Sequence, residues 1–159
     1  IKGKRTMNIP SPGRAEIRKM QSSDLDRIIQ IEREIFLFPW SLGNFADSLK
    51  TGYLCHVLEQ DNILFGYGIM MMSPEEAHVL TLGIAANWQK KGWGRRLLHH
   101  FIQLAQENHA KSIFLDVRES NHGAAQLYKQ MGFQHIATRK GYYPAMCGRE
   151  DALVMQLML

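Results

Sequence analysis

The chain has 159 residues, 45% hydrophobic and 21% charged, a composition that excludes a low-complexity or disordered chain and fits one domain around one core. The formal charge of +4 is uneven: residues 1–20 hold six cations (Lys2, Lys4, Arg5, Arg14, Arg18, Lys19) against Glu16, leaving 13 cations against 14 acids in residues 21–159. The folded body is therefore near neutral, which argues against direct nucleic-acid binding, and its longest apolar run, Ile69–Met72, is too short to cross a membrane.

Residues 1–14, with Pro10, Pro12 and Gly13, read as a flexible arm, partly vector-derived, with Met7 as a candidate native start and no secretory-signal pattern. Residues 15–159 read as one domain. Ala15–Met20 is an edge-strand candidate. Ser22-Ser23 offers a helix cap, with Asp24 and Asp26 in the first turn. Leu25, Ile28, Ile29, Glu32 and Ile35 then follow helical spacing until Phe38-Pro39-Trp40 breaks it. Ser41 starts a second short helix that ends near Gly52. Strands are expected over Tyr53–Glu59, Ile63–Met72 and Ala77–Ala85, with turns at Asp61-Asn62 and Ser73-Pro74. From Gly92 the apolar residues Leu97, Leu98, Phe101, Leu104 and Ala105 form a helical stripe to about residue 108. A strand at Ile113–Val117, a helix at Ala124–Met131 stopped by Gly132, and closing strands at Phe133–Arg139 and Ala152–Leu157 complete the chain. This order implies an α/β fold with a mixed, mostly antiparallel sheet flanked by helices. Cys55 and Cys147 have neither zinc spacing nor a disulfide framework, which suits a reducing, cytoplasmic setting. The seven histidines show no ligand spacing, so no metal is expected.

Between a strand and a helix lies Gln89-Lys90-Lys91-Gly92-Trp93-Gly94-Arg95-Arg96. A glycine-bearing loop at a helix start presents free amides and the positive end of the helix dipole to an anion. The cations suit a polyphosphate. The Walker pattern fails, because Gly94 is followed by Arg95-Arg96; the dinucleotide pattern fails, because Leu97 stands at its third glycine. What remains is Q-x-x-G-x-G, which resembles the coenzyme-A pyrophosphate loop of the Gcn5-related N-acetyltransferase (GNAT) superfamily. A solvated cationic helix start is the competing reading.

Residues 115–133 read LDVRESNHGAAQLYKQMGF. Leu115-Asp116-Val117-Arg118, Ser120-Asn121, Ala124, Leu127-Tyr128 and Gly132-Phe133 resemble the second half of the RimI-like ribosomal-protein-alanine N-acetyltransferases. The spacing from Gly92 to Asp116 matches that family without a gap. Phe38-Pro39-Trp40-Ser41 and Tyr142-Tyr143-Pro144, followed by Gly148-Arg149-Glu150-Asp151-Ala152, extend the resemblance over about residues 15–158.

The resemblance implies the acyl-CoA N-acyltransferase fold and acetyl-CoA as co-substrate. Leu82, Gly83 and Ile84 would supply backbone groups around the acetyl and pantetheine portion. Gln89, Lys90, Lys91, Gly92, Trp93, Gly94 and Arg95 would hold the pyrophosphate, and Asn121 would also contact the cofactor. Asp116 takes the general-base position and Tyr128, beside the cofactor, that of the general acid. Trp40, Tyr142 and Tyr143 would line the peptide groove. The implied substrate is a ribosomal protein N-terminus, the N-terminal alanine of small-subunit ribosomal protein number eighteen, with the enzyme a monomer in the cytoplasm. Several residues have structural alternatives: Tyr128 as core, Asn121 as a helix cap, Asp116 as a partner of Arg118. Glu150 and Asp151 could offer charge to a cationic peptide or be ordinary loop acids. Other functions stay open: a broader N-terminal or polyamine-like acetyltransferase, a non-catalytic acetyl-CoA-binding module, or RNA binding through the arm.

Overall fold

Alternation along the third strand sorts the molecule into two layers. The computed structural model describes residues 14–159, so the expected arm, apart from Arg14, lies outside the described residues, as does the RNA-binding reading placed on it. The strands are β1 (Glu16–Lys19), β2 (Leu54–Gln60), β3 (Ile63–Ser73), β4 (Glu76–Ile84), β5 (Ser112–Arg118), β6 (Gln134–Pro144) and β7 (Arg149–Met158). The helices are α1 (Leu25–Ile35), α2 (Leu42–Thr51), α3 (Trp93–Glu107) and α4 (His122–Gln130). In β3, Leu64, Tyr67 and Ile69 pack with Ile28, Ile31 and Phe45 of α1 and α2. Phe65 and Met70 face the opposite side, among Leu97, Leu98 and Phe101 of α3. A strand buried on both faces reads as a continuous apolar run, and β3 does.

The sheet order is β1-β2-β3-β4-β5-β7-β6, and every pair is antiparallel except β4–β5. The parallel pair is short. Glu76–Val79 align with Ser112–Leu115, and beyond these residues the two strands part. A bulge begins there too: Ile69 opposes Thr81 and Met70 opposes Val79, leaving Leu80 as an extra residue on β4. Bulges increase local twist and bend the strand. The rest of β4, Thr81–Ile84, therefore leaves β5 and opens a gap in the sheet.

The elements match the sequence expectations closely, with three differences. The cap expected at Ser22-Ser23 falls on Gln21, in a capping box whose other half is Asp24: the Gln21 N–H donates to Asp24 Oδ2 at 2.8 Å. Residues Ser22–Asp24 form a 3-10 turn before α1, and Asp24 is also clamped by Arg18 at 2.8 and 2.9 Å. The closing strands run longer than expected. Pairing passes a bulge in which Arg139 opposes Ala152 and Tyr143 opposes Glu150. Asp151 Oδ1 accepts the Gly141 N–H at 2.8 Å, and Gly141 takes φ +59°, a conformation that glycine adopts cheaply. Pairing then resumes and carries Tyr143 and Pro144 into β6. Third, a histidine pair that no sequence spacing indicates forms across the layers: His100 Nε2 on α3 lies 2.9 Å from His56 Nδ1 on β2.

Candidate active site

A cavity of about 900 Å³ occupies the gap between the parted strands. Leu82, Gly83 and Ile84 of β4 form one side, and Asp116, Val117 and Arg118 of β5 the other. The start of α3 and the first turns of α4 close one end; Phe36, Phe38 and Trp40 of the α1–α2 loop close the other.

The α3 end is a backbone structure. Gly92 sits at φ +86° as the N-cap of α3, and a Cβ there would meet nothing within 4 Å. The first intrahelical bond runs from the Arg96 N–H to the Gly92 carbonyl at 3.1 Å. The amides of Trp93, Gly94 and Arg95 therefore have no helical acceptor, and all three residues line the cavity. Trp88 stacks on Phe65 with centroids 4.0 Å apart, and Trp93 meets the same ring edge-on at 5.0 Å. Two tryptophans thus anchor the loop on both sides.

Several side chains expected to face a ligand are committed to the protein. Gln89 Nε2 donates to the Ile84 carbonyl at 2.9 Å and ties the loop to the end of β4. Arg95 reaches α4, donating to Gln130 Oε1 at 2.6 Å. Lys90 lines the cavity at φ +61°, whereas Lys91 is not among the lining residues. Asn121 Oδ1 accepts the Ala124 N–H at 3.2 Å and caps α4, yet Asn121 also borders the cavity.

Asp116 and Tyr128 line the same cavity. Leu115 and Val117 point into the core below α3 and α4, so Asp116 projects from the other face of β5. Its carboxylate stays 31% exposed, with Arg139 Nε 3.5 Å from Oδ1. The pairing with Arg118 does not form. Arg118 turns instead to Pro144, donating to its carbonyl at 2.8 Å, and stands 3.7 Å from Glu150. Tyr128 comes from α4, packed on Phe133 at 5.9 Å. Burial pushes its hydroxyl up to about 12, so it is protonated at neutral pH.

The end opposite α3 is built from side chains of distant segments. The Arg118 guanidinium lies 4.4 Å from the Tyr143 ring centre and 5.2 Å from that of Phe38, joining the α1–α2 loop to the β6–β7 hairpin. Burial, with Asp116 nearby, pushes the Tyr143 hydroxyl up to about 12. A side pocket of about 250 Å³ continues from Asp116 past Trp40, Tyr143, Arg139 and Tyr142 to His78 and Phe114. Trp40 and Tyr143 border both spaces, while Tyr142 borders the side pocket alone. Glu150 and Asp151 do not reach out as peptide ligands: Glu150 accepts the Ser120 N–H at 3.0 Å, and Asp151 holds Gly141. Among the residues not singled out as site residues, Arg118, Phe38, Trp88 and Glu32 all line the cavity. Glu32 had a signal, a carboxylate inside an apolar helical stripe; Arg118 and Phe38 stood inside the motifs that carry the family resemblance, and Trp88 had no signal of its own.

A parted parallel strand pair, a glycine-capped helix start and a partly buried tyrosine beside them line one cleft. The model of the acetyltransferase (GNAT) family matches residues 25–133, and the chain belongs to that family. Within it the chain is similar to the [ribosomal protein bS18]-alanine N-acetyltransferases. It is 33% identical to that of Escherichia coli K12 over 89% of this chain and 95% of the relative. It is 34% identical to that of Haemophilus influenzae over 90% and 98%. The crystal structure of the Escherichia coli ribosomal-protein-S18-alanine N-acetyltransferase superimposes with a TM-score of 0.86 at 32% identity, covering 91% of this chain and 94% of that one.

Proposed function

We propose that the protein transfers the acetyl group of acetyl-CoA to the N-terminal α-amine of ribosomal protein bS18, at its alanine. The observation that carries this reading is the placement of Asp116 and Tyr128 on one cavity whose far end is a glycine-capped, anion-accepting helix start. Similarity over nine-tenths of the chain to enzymes named for that substrate supports its identity.

The cavity fits a pyrophosphate-bearing thioester. The open side of Gly92 leaves room for close approach, the first-turn amides of α3 can donate to phosphate oxygens, and Lys90 adds charge. Acetyl-CoA supplies the activated acetyl thioester. Leu82, Gly83 and Ile84 border the space for its acetyl and pantetheine portion. Asp116 takes the proton of the attacking amine, through water where its short side chain falls short. Tyr128, protonated at working pH, returns a proton to the departing thiolate sulfur. Asn121 borders the cofactor while capping α4, and Trp40 and Tyr143 form the walls that receive the peptide. Tyr142 acts one residue further along that groove. We read the enzyme as a monomer, and a ribosomal substrate fits a reaction in the cytoplasm.

A peptide array with varied first residues, with spermidine alongside, tests the reading. The expected result is turnover of Ala-starting peptides with bS18-like sequence. Turnover of spermidine without any of these peptides would contradict it.

A further inference from the structure

Glu32 interrupts the apolar stripe of α1, yet it is only 2% exposed. A buried carboxylate needs hydrogen bonds or a cation. Among the described residues no ion pair includes Glu32; two neutral donors hold it. Its Oε2 accepts the Tyr67 hydroxyl, and its Oε1 accepts the Trp40 N–H at 3.2 Å. The second bond joins α1 to residues 36–41, the loop that carries Phe38 and Trp40 to the acceptor end. The first joins α1 to β3. Tyr67 pairs with Gly83 across β3 and β4, and its ring fills the space where a Gly83 Cβ would sit, at 2.4 Å from that position. Only glycine lets the phenol cross β4 to reach Glu32. One carboxylate therefore ties the acceptor loop to the strand that borders the thioester end.

We propose that Glu32 and Tyr67 are a positioning pair that fixes residues 36–41 relative to Gly83 and so sets the distance between the incoming amine and the acetyl group. Neither residue exchanges a proton with the substrates. The proposal rests on the acetyl-transfer reading, and it separates from a purely stabilising role by where its effects fall. Loss of the pair loosens the acceptor loop. It leaves the glycine loop at 89–94 untouched, because Gln89 and the two tryptophans hold that loop independently.

The test compares Glu32→Ala, Glu32→Gln and Tyr67→Phe with wild type in three measurements: steady-state acetylation of an Ala-starting peptide, calorimetric binding of acetyl-CoA, and hydrogen exchange resolved by residue. For Glu32→Ala we expect kcat/KM to fall about tenfold or more, carried mainly by a higher peptide KM, with acetyl-CoA affinity within about twofold. Exchange at the Trp40 amide should quicken about tenfold while residues 89–94 stay unchanged. Glu32→Gln retains an acceptor for the Trp40 N–H and should recover most of the peptide KM. Tyr67→Phe, which keeps the ring under Gly83, should fall between them. Wild-type peptide kinetics in Glu32→Ala would overturn the proposal; so would quickened exchange spread evenly over both ends of the cavity. If Glu32→Ala fails to fold, Glu32→Gln and Tyr67→Phe decide: unchanged peptide KM and unchanged Trp40 exchange in both overturn it. If wild type acetylates no Ala-starting peptide, the functional reading fails, and Trp40 exchange still decides whether the pair holds the loop.

Discussion

The two ends of the cavity are made of different material. The α3 end is backbone: a left-handed Gly92, first-turn amides, and a loop held by Gln89 and two tryptophans. The acceptor end is side chain: Arg118 between Phe38 and Tyr143, Arg139 beside Asp116, and Glu32 beneath Trp40. A backbone site tolerates exchange of its charged side chains but not of its glycines. A side-chain site depends on a few long-range contacts, and each of these can be removed singly.

The sharpest break between the two ends should come where they meet. Tyr128→Phe keeps the ring and its packing, so acetyl-CoA affinity should stay within about twofold while kcat falls by roughly 10²–10⁴, the usual range for a general acid. Parallel calorimetry and initial rates check this. At the backbone end, Gly92→Val should cut acetyl-CoA affinity by about thirtyfold or more, through the φ of +86° and the Cβ placed where the ligand approaches. The fold should survive, since that Cβ meets no protein atom within 4 Å. Lys90→Ala should cost only about threefold, on the scale of an exposed charge contact. The reverse order of these two would mean that the loop works as a charge patch.

At the acceptor end, Arg118→Met should raise the peptide KM by about tenfold and leave acetyl-CoA affinity unchanged, because it unhooks the α1–α2 loop from the β6–β7 hairpin. Loss of cofactor affinity instead would show that the two ends are not separable.

A smaller, pH-dependent effect should appear where the middle of α3 meets β2. Burial lowers His56 to about 4 and lowers its partner His100 as well. Both bind protons more readily unfolded, near 6.5, than folded. Their neutral pair thus contributes fully above pH 6.5, and stability is lost as pH falls from there toward 4. The urea midpoint should drop over that interval by an amount equivalent to about 1–2 kcal/mol, and His56→Asn should flatten the drop.

The same division explains what the sequence disclosed. Backbone features are local. Ser41 caps α2 through the Asn44 N–H, Gly52 ends it at φ +86°, and Gly132 ends α4 at φ +100°, so the helices fell close to where spacing put them. The glycine loop was legible for the same reason, within eight consecutive residues. Side-chain partnerships depend on topology instead. Asp116 and Arg118 are two apart on one strand, yet each finds its partner on the β6–β7 hairpin, at Arg139 and Glu150. The bulge that carries Tyr143 to the cavity hangs on Asp151 and Gly141, ten residues apart. No periodicity in the sequence encodes that contact. Gly83 shows the limit most plainly: its need for glycine comes from Tyr67, which the sheet register alone brings beside it.

The central claim is acetyl transfer to an α-amine by the residues gathered on this cavity. Its most direct test is mass spectrometry of bS18, bearing its N-terminal alanine, after incubation with acetyl-CoA and either wild type or Tyr128→Phe. The account predicts one acetyl group, on the alanine nitrogen, with wild type, and almost none with the variant over the same interval. Acetylation of lysine side chains in place of the α-amine, or equal modification by both proteins, would contradict it.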